Sequence, residues 1–222
     1  AFGEDGYAIP GALAGIFGYL GLICLYAGLS TGRMGVVSPI SSLGALLPFT
    51  IALIGGERPM RLQLLGMVIA LIGGFCASGP ELNNGLPVKP LFYALGATFG
   101  FGIALTFMAK GSETSPLLTM TMMRVTSVSI CILIALRYRQ IGGFKLKDLP
   151  MLAFIGVADF LANYLLGLAT TKGLVSIAMV LGSLFPIVTA VLAFKFLHER
   201  LHKVQYLGIL FAIIGVAMIS LA

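Results

Sequence analysis

The chain has 222 residues, of which 59% are hydrophobic and only 10% are charged, and its mean hydropathy is +1.05. Because about a quarter of the residues in a soluble globular protein are charged, this composition excludes the soluble class and indicates a polytopic membrane protein. The net charge of +6 would suggest a nucleic-acid partner in a soluble protein, but here the basic residues lie mostly in loops. We attribute them to membrane topology and expect no nucleic-acid partner.

Apolar segments of membrane-spanning length follow one another along the whole chain. We count eight of them, at 11–30, 36–54, 62–78, 90–109, 117–136, 149–169, 174–197 and 204–222. Lipid offers no water to satisfy backbone polar groups, and the sequence lacks the alternating pattern of a membrane strand, so every segment is predicted to be a helix. The expected fold is an all-α, polytopic membrane helix bundle with short connections.

The third segment reappears in the eighth. Residues 57–78 and 199–220 are identical at nine of 22 positions, and LGALLP at 43–48 is similar to LGSLFP at 181–186. Segments one to three thus match segments six to eight, which leaves two segments between the copies and makes the repeating unit five spans. An odd number of spans places consecutive copies in opposite orientations, which is the inverted-repeat plan of many secondary transporters.

The same count predicts which parts of each repeat the chain contains. Residues 1–80 would hold the last three helices of a first repeat, and residues 88–222 a complete second repeat of five helices. Two further spans are then expected before residue 1, so that eight of an inferred ten are present here.

Short motifs recur at corresponding places in the two copies. A proline in the fourth helix of each repeat is followed by a Glu-Arg loop, and the fifth helix opens with Gln-x-x-Gly, at Pro48, Glu57, Arg58, Gln63 and Gly66 and again at Pro186, Glu199, Arg200, Gln205 and Gly208. Together with Arg124 in the second helix of a repeat, this set resembles the EamA-type transporters of the drug/metabolite transporter superfamily. The resemblance implies ten helices in two five-helix inverted repeats.

Asp159 is the sharpest candidate for a functional residue. It lies in the middle of its segment, with about ten apolar positions on either side, where a charge costs roughly 2.5 to 3.5 kcal/mol. It should therefore face the bundle interior and have a partner. Asn163, four residues later, shares its face. The two residues predict a substrate or proton site, and the alternative is a structural carboxylate bonded to a neighbouring helix.

Arg124 is the basic counterpart, about seven residues into its segment and roughly 10 Å from the segment end. It would pair with Asp159, bind an anionic group of a solute, or extend its long stem toward the membrane interface. The family resemblance favours an Arg in the interior.

Aromatic and hydroxyl side chains supply further candidates for substrate binding. Tyr19 and Tyr26 are seven residues apart on one helix face and would stack on an aromatic or amphipathic solute. Interface anchoring is the alternative, and it suits Tyr26 better because Tyr26 is nearer the segment end. Ser42 and Ser183 lie on repeated helices, where they would either line a pore or join helices through hydrogen bonds.

Two prolines and two glutamates stand out because they are repeated. Pro48 and Pro186 remove a backbone hydrogen bond in mid-helix, so we predict kinks there that serve as hinges. Glu57 and Glu199 lie in loops just before a helix, where a carboxylate favours the positive helix N-terminus. We interpret both glutamates as structural.

The sequence offers no pattern for covalent or metal chemistry. Cys24, Cys76 and Cys131 sit singly in apolar segments and are interpreted as packing residues, and His198 and His202 lack a third ligand. Neither a catalytic triad nor a phosphate-binding loop is present. We therefore predict that the protein is not an enzyme and that it needs no metal and no cofactor.

These features predict a secondary transporter, specifically an exporter, of small organic solutes such as amino acids, metabolites or drugs, in a bacterial inner membrane. Its cavity would lie between the repeats at the membrane midplane and open to the two sides in turn. The partners considered are the small-molecule substrate, protons as the coupling ion, the lipid bilayer and a second copy in a homodimer. The alternative is a non-transporting assembly or regulatory subunit.

Overall fold

The computed structural model describes residues 5–31, 34–79, 88–139, 143, 145–196 and 202–222, and Glu199 lies outside these ranges. Throughout them the regular structure is helical: α1 (Ala8–Leu29), α2 (Met34–Ser42), α3 (Leu46–Ile54), α4 (Arg61–Ala77), α5 (Val88–Ser112), α6 (Pro116–Tyr138), α7 (Leu149–Lys172), α8 (Val175–Gly182), α9 (Phe185–Phe196) and α10 (Lys203–Ser220). The all-α prediction is confirmed.

The eight predicted segments correspond to these helices in order. Segment two comprises α2, a 3₁₀ turn at Leu43–Ala45 and α3, and segment seven comprises α8 and α9. Within the described ranges, six helical stretches are long and apolar enough to cross a membrane, and two shorter apolar stretches cover Arg61–Ala77 and Val175–Val188. Large apolar side chains cover much of the surface, as expected of a bundle whose solvent is lipid.

Both interrupted segments break at the same place in the repeat, shortly before a proline. Leu46 N–H donates to the carbonyl three residues back in the first break, and Leu184 N–H does so at 3.2 Å in the second. Pro48 and Pro186 have no N–H with which to continue the α-helical pattern, and a proline ring also crowds the carbonyl four residues before it. The helix breaks follow from this chemistry, whereas the hinge role of both prolines stays a prediction.

The two copies of the repeated segment, α4 and α10, pack directly against each other. A Cβ atom added to Gly66 would lie 2.8 Å from the carbonyl oxygen of Gly215, and one added to Gly73 would lie 2.7 Å from that of Gly208. Glycine permits this close approach of two backbones, as in other membrane helix pairs.

The register of these contacts shows how the copies are oriented. The partner positions run in opposite directions along the chain, so the helices are antiparallel. Gly66 corresponds to Gly208 in the repeat and Gly73 to Gly215, so exchanging the copies turns one contact into the other. This local two-fold relation is what an inverted repeat requires, while the division of the chain at residues 80 and 88 stays a prediction.

The repeated Gln-x-x-Gly motif has a simple structural basis. The side-chain oxygen of Gln63 accepts a hydrogen bond from Met60 N–H at 2.9 Å, and that of Gln205 accepts one from His202 N–H at 2.9 Å. Each glutamine thus satisfies a backbone donor at the start of its own helix. The glycine one turn later then meets the opposite helix.

Helices α1 and α7, which correspond in the repeat, are covered to different extents. Helix α1 packs on α5 and α6 through a row of buried glycines, and 28% of its most apolar 18-residue stretch is buried. The matching share for the stretch that ends at Lys172 in α7 is 6%. One face of α7 therefore has no partner among the described residues.

Candidate functional site

A cavity of about 600 Å³ opens within the bundle, walled by α1, the α2–α3 break, α5, α6, α7 and α8. Most of its wall is apolar, and its charged lining residues are Arg124 of α6 and Asp159 of α7. Asp159 is the eleventh of 24 residues in α7, and Arg124 the ninth of 23 in α6. Both charges therefore lie near the middle of helices long enough to cross a membrane.

Arg124 and Asp159 form an ion pair across the gap between their helices. Arg124 Nη2 donates a hydrogen bond to Asp159 Oδ2, and the two side chains are 31% and 54% exposed. The structure thus directs Arg124 at Asp159 rather than away from it. Pairing offsets the cost of both charges at this depth, and their exposure leaves them accessible from the cavity.

Asn163 completes a three-residue polar group. Its Nδ2 donates to the Asp159 carbonyl oxygen at 2.8 Å and to Asp159 Oδ1 at 3.2 Å. The i, i+4 spacing on one helix face brings these groups together, as expected from the sequence. The Asp159 carboxylate therefore receives a donor at each of its two oxygens, which holds it in one orientation. Arg124 has five N–H donors in all, and those directed at Asp159 become available to a solute group when the pair separates.

The aromatic candidates separate in the structure. Tyr19 lines the cavity. Tyr26 is not part of the lining and is 65% exposed, an arrangement that fits interface anchoring rather than solute stacking. Cys131 also lines the cavity.

Ser42 and Ser183 both line the cavity, one from each interrupted segment. Each hydroxyl, however, donates to a carbonyl in its own helix, Ser42 Oγ to Pro39 at 2.7 Å and Ser183 Oγ to Val180 at 2.7 Å. Their hydrogens are thus occupied locally, and the remaining lone pairs are free to accept from a solute. The two helix breaks place both serines at the cavity wall.

One end of the cavity is closed by methionines. Met108 and Met179 line it and are each 1% exposed, and they belong to a buried cluster that also contains Ala14, Ala109 and Met120. This cluster lies toward the bundle end that carries residues 55–60, 113–115 and 173–174, which we call the Glu57 end. In the other direction the lining continues along α1 to Leu25 and along α6 to Cys131.

Several cavity residues escaped sequence reasoning. Phe101, Met108, Met179 and Phe185 line the cavity, but an apolar side chain in a membrane helix looks the same in sequence whether it faces lipid, a helix or a cavity. Their only signal was spacing, since Phe101, Leu105 and Met108 share one face of α5. That spacing identifies a face without saying what the face meets.

Glu57 was assigned correctly to a helix N-terminus but to the wrong helix. The sequence suggested α4, which follows it directly, whereas its carboxylate accepts hydrogen bonds from the start of α8, 118 residues later. At the start of α4, the side chain of Gln63 accepts the hydrogen bond from Met60 N–H instead. Among the described residues, no group of three or more His, Cys, Asp or Glu side chains is placed to hold a metal ion.

Comparison with known proteins identifies the family. The family model described as the EamA-like transporter family matches residues 88–221. An uncharacterized protein from Methanocaldococcus jannaschii is 30% identical over 122 residues, which are 55% of this chain and 89% of that protein. With its apolar helices and mid-depth cavity, the chain belongs to the EamA-like transporter family, in the drug/metabolite transporter superfamily, and is a multi-pass membrane protein.

Proposed function

We propose that the cavity is the solute site of a secondary transporter that exports small organic solutes, such as amino acids, metabolites or drugs, across a bacterial inner membrane. The observation that carries this proposal is the Arg124–Asp159 ion pair, exposed to a cavity of about 600 Å³. Ionisable groups at mid-depth in a membrane bundle are costly and occur mainly on solute and proton pathways. The volume suits a small organic molecule.

The ion pair suggests how proton and solute binding are coupled. Protonation of Asp159 removes its negative charge, weakens the pair and leaves the Arg124 guanidinium for an anionic group of the solute. Deprotonation restores the pair, which competes with the solute and favours its release. Alternating access requires at least two states, and here they would differ in whether Arg124 pairs with Asp159. The solute or the proton can shift the equilibrium between these states only if it binds them with different affinities.

The direct test replaces the proton carrier with a group of the same shape. Asp159→Asn keeps the size and one acceptor but does not titrate, so we expect proton-driven solute flux in proteoliposomes to fall to background. The control is Glu113→Gln, which removes a carboxylate from the exposed α5–α6 connection. Unchanged proton-driven flux in Asp159→Asn would refute the assignment of Asp159.

The second candidate is a non-transporting assembly or regulatory subunit, and the uncovered face of α7 favours it. A subunit of that kind would use this face to bind another membrane protein. It would show no solute flux in proteoliposomes at any pH gradient, with or without Asp159. The same measurement on the unsubstituted protein therefore separates the two candidates.

A further inference from the structure

Glu57 makes a two-pronged contact between distant parts of the chain. Its Oε1 accepts a hydrogen bond from Val175 N–H at 2.7 Å, and its Oε2 accepts one from Ser176 N–H at 3.0 Å. Glu57 lies between α3 and α4, whereas the two donors are the first residues of α8. Ser176 is fully buried, whereas Glu57 and Val175 are partly exposed, so this contact lies at the edge of the packed interior at the Glu57 end.

The contact supplies what α8 lacks. The first N–H groups of a helix have no partner within it, and its N-terminus carries partial positive charge. Leu174, the residue before α8, provides no side-chain cap, so the Glu57 carboxylate takes that role from outside. Hydrogen bonds to a charged acceptor are roughly twice as strong as neutral ones. Glu57 therefore fixes where α8 begins.

Helix α8 is part of the cavity wall. It is eight residues long, it carries Met179 and Gly182 on the lining, and it ends at the break before α9. Met179 packs in the buried cluster that closes the cavity toward the Glu57 end. A short helix held at its first residues and carrying the closing methionine one turn later transmits a shift at Glu57 directly to this closure.

We propose that Glu57 is a positioning residue for transport, which clasps the N-terminus of α8 and holds the cavity closed at the Glu57 end. Glu57 belongs to the predicted first repeat and α8 to the second, so opening the Glu57 end by moving the repeats apart breaks both hydrogen bonds. The proposal rests on the transporter function above. Glu57 would then set the equilibrium between the state in which the cavity is closed at the Glu57 end and the state in which it is open there.

Cys131 provides a reporter of access that needs no substrate. It lines the cavity, whereas Cys24 and Cys76 do not, so Cys24→Ala with Cys76→Ala leaves a single cavity thiol. Its labelling by a membrane-impermeant thiol reagent is measured from each side of the proteoliposome membrane. A Glu113→Cys variant that also lacks Cys131 identifies the side on which the Glu57 end lies.

In this background Glu57→Gln removes the charge and one of the two acceptors. We expect labelling from the Glu57 end to rise about tenfold, equivalent to ~1.4 kcal/mol, and labelling from the opposite side to fall. Glu113→Gln removes the same charge from the same end without touching α8, and should leave both rates unchanged. The measurement is independent of flux, so it stands or falls separately from the Asp159 assignment.

A second variant breaks the contact from the other partner. Val175→Pro deletes the N–H that Glu57 Oε1 accepts, at the first helical position, where proline is tolerated. Leu174 already has φ −67° and ψ 128°, the conformation that proline imposes on the residue before it. The same one-sided rise in Cys131 labelling is expected. Unchanged rates, or an equal rise from both sides, in whichever variant is stably folded would overturn the proposal.

Discussion

At the scale of single residues, the central feature is an ion pair that is neither buried nor free. Arg124 and Asp159 are partly exposed and both line the cavity, so water or solute can reach them. A fully buried pair would be locked, because separating its charges in a medium of low dielectric is costly. Partial exposure keeps the cost of separation low enough for a solute to compete.

A double-mutant cycle measures the strength of this pair. We expect Arg124→Gln and Asp159→Asn each to lower the free energy of unfolding in detergent. The sum of these two losses should exceed the loss measured for the double variant. The coupling should be about 1 kcal/mol, in line with polar pairs in membrane helices and exposed salt bridges. A coupling near zero would mean that the two side chains are not paired in the folded protein.

At the scale of elements, the α4–α10 contact is set by glycine. At Gly73 and Gly208 the nearest atoms of the opposite helix are all backbone atoms, including the Gly208 carbonyl that faces Gly73. No side chain can rotate away to make room at these two positions. Glycine therefore occurs at the same positions of both copies, because the two-fold relation places each of these glycines against the opposite helix.

This contact predicts a large effect of small substitutions. Gly73→Ala should lower the free energy of unfolding of the purified protein by about 1 to 3 kcal/mol, the usual cost of overpacking, and its melting temperature should fall accordingly. Gly156→Ala in α7 is the matched control, since a Cβ added there would meet no atom within 4 Å. In an exposed helix position alanine is favoured over glycine, so the control should be neutral or slightly stabilising. Equal behaviour of the two variants would contradict the packing.

At the scale of the whole molecule, the bundle is unevenly covered. Helices α5 and α6 cover α1, but none of the described helices covers α7 to the same extent, and Asp159 is 54% exposed on it. A carboxylate at mid-depth is unfavourable against lipid, so polypeptide is the expected neighbour on this side. The predicted two upstream spans and the predicted homodimer would each provide it, and both stay predictions.

The environment of α7 is directly measurable. A fluorophore attached at Val157→Cys, which is 68% exposed on α7, should be quenched weakly by brominated lipids in the assembled protein. The comparison is Phe92→Cys on α5, also strongly exposed at 74%, which we expect to face lipid and be quenched strongly. Equal quenching at the two positions would show that lipid covers α7.

More of the fold than of the candidate site could be predicted from the sequence. Each span was predictable because lipid selects a long apolar helix segment by segment, without reference to its neighbours. Asp159, Asn163 and Arg124 were identifiable because a charge or amide in such a segment needs an explanation. Phe101 and Met179 were not, because apolar residues carry no comparable signal.

The sequence by itself determined the class of protein, the spans, the repeat and the polar residues that required a partner. All of these follow from local hydropathy or from direct comparison of one stretch with another. Only the tertiary structure decided that Glu57 caps α8 rather than α4, that Tyr26 lies outside the cavity, and that Arg124 meets Asp159. Those outcomes depend on which helices pack together, and packing between residues that lie far apart in the chain, 35 positions for Arg124 and Asp159 and 118 for Glu57 and Val175, leaves no trace in local hydropathy.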